Sequence, residues 1–163
     1  MILDNYIPFL DFLTNKIAQL GIDVSRLNLD HFGYQASSDE DYGRLRPEFD
    51  KIGELLSEEI VGGRRVGIFK FFTPLDYQGH PVPAVELVAP KQGQVCPSAL
   101  EHAEFVINEN FESFTSKYPN LPWDKSKINQ PMFPMVTLKL DDNIQVKFHY
   151  KPVLEIIRDK NKP

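Results

Sequence analysis

Residues 29–35 read LDHFGYQ and residues 100–106 read LEHAEFV. Each stretch places an apolar residue, an acid and a histidine ahead of alternating residues, a pattern that predicts a strand. His31 and His102 stand 71 positions apart in a chain of 163 residues. That is nearly half the chain, the separation expected of equivalent positions in two repeats. Equivalent histidines on the first strand of each repeat would point into one shared cavity, the start of a metal site.

The elements around the two stretches repeat in order. Before the first, Ile7, Leu10, Leu13, Ile17 and Leu20 recur at helical spacing and predict an amphipathic helix over 5–20, with Pro8 in its first turn and Gly21 as its stop. The first module, about 28–90, opens with the His31 strand. Ser37, Ser38 and Asp39 offer N-caps for a helix through about Leu55, with Tyr42, Leu45, Phe49, Ile52 and Leu56 near one face and Pro47 as a kink or break. Residues 57–61 read as a short strand, Gly62-Gly63 as a turn, and Val66–Phe72 as a strand ended by Pro74. A loop over 76–81 then leads to a strand over Val82–Val88. After the linker KQGQVCPSA, the second module, about 100–151, gives a strand over 101–107 and a short helix capped by Asn108 or Asn110. A short strand at 125–129 and a hairpin of Met135–Leu140 and Ile144–Tyr150 around Asp141-Asp142-Asn143 complete it. The tail PVLEIIRDK forms a last turn of helix. The expected class is α+β: paired βαβββ modules in one cupped, barrel-like mixed sheet within a single domain.

Composition excludes several functions. Net charge is −5, with no long block of one sign, so the basic footprint that nucleic acid requires is missing. No apolar run approaches a membrane span. Cys96 is the only cysteine, which rules out an intrachain disulfide and a thiolate cluster. The N-terminus lacks the pattern of a signal peptide, so a cytoplasmic location is expected. P-loop, dinucleotide and nucleophile-elbow motifs are absent.

Strand alternation selects the candidate site. If His31 faces inward, so do Gly33 and Gln35; if His102 does, so does Glu104. Glu86 sits in AVELVAP with apolar residues on both sides, a costly place for a carboxylate without a cation. On the last strand, IQVKFHY, Gln145, Lys147 and His149 share a face. The expected metal ligands are His31, Glu86 and His102, with His149 as a fourth, and the donor types suit Zn²⁺, Fe²⁺, Mn²⁺, Co²⁺ or Ni²⁺. Glu104 is the residue for proton transfer, and Lys70 and Lys147 are contacts for an anionic substrate. Asp30 and Glu101 are expected to face away from the histidines, exposed or salt-bridged.

These residues resemble the vicinal oxygen chelate superfamily, the glyoxalase and extradiol-dioxygenase group. The phrases GELLSE (53–58), IFK (68–70), VEL (85–87), EHAEFV (101–106) and VKFH (146–149) look specifically like the bacterial YecM family, over roughly residues 8–158. The resemblance implies paired modules whose first and fourth strands supply metal ligands, usually His and Glu. His31 and Glu86 match the first pair, and His102 matches the first ligand of the second. The last-strand ligand is usually Glu, whereas VKFH offers none, so His149 replaces it or three protein ligands remain. The expected function is a divalent-metal-dependent isomerase, lyase or dioxygenase on a small oxygen-bearing molecule. The alternatives are a metabolite-binding module without metal and a metal-binding protein without turnover. A monomer is favoured over a dimer, because two modules in one chain make a self-contained cavity.

Overall fold

Helix α1 (Tyr6–Gln19) buries Leu10, Leu13 and Ile17, while Ile7 and Leu20 at its two ends stay largely exposed. The computed structural model describes residues 2–162. After α1 the chain forms β1 (Asn28–Gln35), α2 (Asp39–Asp50), β2 (Gly53–Val61), β3 (Arg64–Tyr77) and β4 (His80–Val88). The second half follows as β5 (Ala99–Val106), α3 (Phe111–Ser116), β6 (Val136–Asp141), β7 (Ile144–His149) and α4 (Val153–Lys160). The expected caps form: the Ser38 side chain accepts from the Asp41 N–H, and Asn110 accepts from the Ser113 N–H.

All seven strands join one mixed sheet in the order β2-β3-β4-β1-β5-β7-β6. β1 runs parallel to β4, β5 runs parallel to β7, and β1 and β5 pair antiparallel at the centre. The two halves are therefore related across the β1–β5 seam, and the seam sets the two histidine strands side by side. The class is α+β, as expected, and the sheet is open, with β2 and β6 as its edges.

Four local expectations change. Helix α2 stops at Asp50, and Ile52 and Leu55 belong to the turn and strand that follow. Gly53 enables this abrupt start of β2, since a Cβ there would lie 2.6 Å from the Lys70 carbonyl oxygen. Strand β3 runs through Pro74, which falls where the β3–β4 register slips between Lys70 and Leu75, so no ladder donor is lost. The expected loop after it shrinks to a two-residue turn, Gln78-Gly79, with both φ positive. In the second half, the strand expected at 125–129 is replaced by turns and one isolated bridge, Asp124 to Thr137. Pro122, Pro131 and Pro134 bracket this segment, and its KSKINQ sequence carries little strand preference.

One face of the sheet meets α1, α2 and α3 through the main core, which includes Phe32, Phe49, Phe69, Leu87, Phe105 and Phe148. The opposite face carries His31, Glu86, His102, Glu104, Lys147 and His149, by the period-two rule. Helix α4 seals one end of that polar face, where Val153 packs with Ile68 and Ala84. The other end opens into cavities lined in part by Gln94, Glu101 and Gln145.

Candidate metal and substrate site

The β1–β5 register places His31 opposite Glu104 and Gly33 opposite His102. The two imidazoles lie edge to face with centroids 6.2 Å apart. His102 rests directly over Gly33: a Cβ at that position would stand 2.0 Å from its Cε1. Gly33 is thus the seat of the imidazole, a role its place in an alternating strand does not announce.

The face carries a connected set of ionisable groups. His102 Nε2 is 2.8 Å from Glu86 Oε2 and 3.3 Å from Glu104 Oε1. His31 Nε2 is 3.5 Å from the same Glu104 oxygen. One ligand atom from each of His31, Glu86, His102 and Glu104 falls within 4.8 Å of the others. Atoms held at about 2.0–2.2 Å around one ion lie roughly 3 to 3.5 Å apart, and the separations of 2.8, 3.3 and 3.5 Å among His102, Glu86, Glu104 and His31 lie near that range. Glu86 Oε2 and Glu104 Oε2 are buried and lie at ion-pair distance from imidazole nitrogens without an aligned hydrogen bond.

Asp30 and Glu101 depart from expectation. The β1–β5 register skips one residue at Asp30 and one at Glu101, which releases each from strict alternation. Asp30 is fully buried, and its Oδ2 accepts from His31 Nδ1 at 2.8 Å and from the Val153 N–H at 3.0 Å. Glu101 Oε2 lies 3.4 Å from His102 Nδ1, and its Oε1 accepts from Gln145 Nε2 at 2.5 Å. Each histidine therefore has a carboxylate behind Nδ1, an arrangement that turns Nε2 toward the shared space. Burial opposes the charged imidazole. Even so, Glu104 and Asp30 hold His31 up to about 10, and Glu101 and Glu104 hold His102 up to about 9 against Lys147.

Asp30 also caps α4. Replacing it with Ala strands the Val153 N–H and His31 Nδ1, two buried groups, and should cost about 2 kcal/mol or more. Urea denaturation would measure that loss, with Asp30→Asn recovering part of it through the retained carbonyl oxygen.

Lys147 lies inside the set. Its Nζ donates to Glu104 Oε1 at 2.8 Å, lies 3.1 Å from His102 Nε2 and is 3.7 Å from Glu86 Oε2. The paired carboxylates raise its ammonium above the usual range despite burial. Burial resists ionisation of Glu86 and Glu104, but Lys147 and the histidines hold Glu86 down to about 2 and Glu104 well below its usual value. His149 takes a neighbouring position: its Nε2 is 3.2 Å from Glu104 Oε2 and 3.5 Å from Asp30 Oδ2, and its Nδ1 lies 2.8 Å from the Lys151 carbonyl. It groups with Asp30 and His31 rather than with Glu86 and His102. Lys70 is exposed on β3, outside the cluster.

A seam of two related modules, with His and Glu converging on one face, has the fold that the resemblance to the vicinal oxygen chelate superfamily implied. The chain matches the family described as YecM protein over residues 1–149, and it belongs to that family. It is 27% identical to Protein YecM of Escherichia coli (strain K12) over 169 residues, covering 95% of this chain and 88% of that one. A solved structure described as Protein EC4020 superposes with a TM-score of 0.80 at 24% identity, covering 96% of this chain and 90% of that chain. A Streptomyces coelicolor methylmalonyl-CoA epimerase variant in complex with 2-nitronate-propionyl-CoA shares the fold, with a TM-score of 0.53 at 13% identity, covering 76% of this chain and 96% of that one. Among the described residues, no helix is long and apolar enough to cross a membrane.

Proposed function

We propose that this chain binds a divalent metal on His31, Glu86 and His102 and acts on a small oxygen-bearing molecule as an isomerase, lyase or dioxygenase. The observation that carries this reading is the convergence of His31, Glu86, His102 and Glu104 ligand atoms within 4.8 Å, with a carboxylate behind each imidazole. The two buried carboxylates, Glu86 and Glu104, favour it further, since buried negative charge calls for cations around it. A bound metal would polarise a substrate oxygen and stabilise developing negative charge. Glu104, held ionised by Lys147, suits the role of an additional oxygen donor better than that of a base. Asp30 and Glu101 orient the two imidazoles, and α4 with Phe133, whose ring lies 5.2 Å from that of His149, keeps water from the closed end.

A second reading rests on Lys147. Its ammonium lies within 3.7 Å of Glu104, His102 and Glu86 atoms and can serve as the resident cation of a metabolite-binding module. Elemental analysis of protein purified without chelator or nickel resin separates the two. Near-stoichiometric metal in the wild type and none in a His31→Ala/His102→Ala double variant supports the metal reading. Equal trace metal in both, after reloading with Zn²⁺, Mn²⁺, Fe²⁺ and Ni²⁺, supports the second.

A further inference from the structure

The open end of the polar face is bordered by cations that, among the described residues, no ion pair uses. Arg64, Lys91, Gln94, Glu101 and Gln145 line one cavity of about 380 Å³, at the small end of the range for ligand pockets. Glu101 and Gln145 join this cavity to the interior, because Glu101 contacts both Gln145 and His102.

Arg64 is half-buried and held in place. Its Nη1 donates to Gln35 Oε1 at 3.3 Å and lies 3.5 Å from the Ala89 carbonyl, and Gln35 is itself buried. Both contacts use Nη1, so the Nε and Nη2 donors remain for another partner. A guanidinium fixed in this way is suited to a planar oxyanion.

Lys127, in the loop between α3 and β6, is half-buried and lies three residues beyond Asp124, which lines the adjoining cavity with Gln94, Glu101 and Gln145. Burial and the like charges of Lys147, Lys91 and Arg64 push its ammonium below the usual value. Among the described residues, no carboxylate lies within ion-pair distance of Arg64, Lys91 or Lys127. Glu101 is already engaged by Gln145 and His102, and Asp124 accepts from the Ser126 N–H while feeling the charges of Lys127 and Lys91 without pairing with either. Arg64 and Lys127 are half-buried and Lys91 is exposed; three cations with no ion-pair partner of their own among the described residues, beside the single carboxylate of Glu101, favour an anionic occupant.

We propose that Arg64, Lys91 and Lys127 form an oxyanion cradle at the mouth of the polar face, which makes the substrate a small carboxylate- or phosphate-bearing molecule. This rests on the proposed function in taking the polar face as the binding site. Arg64 grips the anion, Lys91 and Lys127 screen it, and the rest of the molecule lies along Glu101 and Gln145 toward His102. The site thereby selects charged metabolites over neutral ones of the same shape.

Titration calorimetry on the full chain tests this with oxalate, inorganic phosphate and neutral oxamide as probes. The wild type should bind oxalate or phosphate and reject oxamide, and the preferred anion tells a carboxylate ligand from a phosphate one. Arg64→Gln should weaken the bound anion by about tenfold or more, the scale of lost charge-assisted hydrogen bonds. Adding Lys127→Gln should weaken it further. Metal content of Arg64→Gln, measured in parallel, should equal that of the wild type, so a failed metal reading is seen separately. In the His31→Ala/His102→Ala variant, checked for folding by circular dichroism, anion binding should persist. Wild-type affinity in Arg64→Gln and in the Arg64→Gln/Lys127→Gln variant would overturn the proposal. So would the absence of binding by either anion at millimolar concentration, or anion binding that needs the two histidines and ignores Arg64.

Discussion

Gly33→Ala should abolish metal uptake although no ligand residue is itself replaced. The new Cβ would stand 2.0 Å from His102 Cε1 and 2.5 Å from both ring nitrogens, so the imidazole must leave its seat. The backbone of Gly33 is not among the positive-φ positions, and the conflict is one of space alone. Overpacking of this kind costs about 1–3 kcal/mol, and here it also breaks the contacts of His102 with Glu86, Glu101 and Lys147. Elemental analysis and thermal denaturation would read both effects. A His102→Ala background removes the clashing ring, so Gly33→Ala should be nearly silent there. Such non-additivity is the mark of direct contact.

Lys147→Met should produce the second large effect. The substitution keeps the aliphatic stem and removes the ammonium that stands among Glu104, Glu86 and His102. Breaking a buried ion pair from one side costs about 3–5 kcal/mol, so metal-free Lys147→Met should be strongly destabilised at neutral pH. If a divalent ion enters the same space, it meets no resident charge in this variant. Zn²⁺ or Mn²⁺ should then raise the melting temperature of Lys147→Met far more than that of the wild type. An equal response to metal in both proteins would mean that the ion binds elsewhere and that Lys147 does not compete for its place.

The sequence-based reading reached the two-module α+β fold and the set of His31, Glu86, His102 and Glu104 because simple alternation governs those side chains. It failed where alternation fails. Asp30 and Glu101 were expected to point away, and the register shifts at these two positions instead bring them behind His31 and His102. A bulge has no signature in a single strand, since it depends on the residue count of the partner. Gly33 was legible as an inward position but not as a seat, because its contact is with a residue on the neighbouring strand. Helical spacing continues through Ile52 and Leu56 by coincidence, and tertiary contact at Gly53 ends the helix earlier. The strand position of Lys147 predicts a contact with an anionic substrate. Its reach back to Glu104 and His102 follows from a long flexible stem and from carboxylates whose burial the sequence does not give.

The antiparallel pairing of β1 with β5 joins the first strand of one half to the first strand of the other, and it brings His31 within reach of Glu104. Neither half owns a complete pocket. A ligand that needs both histidines therefore acts as a clasp: every molecule bound adds free energy to the docking of residues 28–35 on 99–106. Occupancy would then slow hydrogen exchange at the amides of this pairing in both halves together, turning the small molecule into a gauge of whether the chain's two halves have found each other.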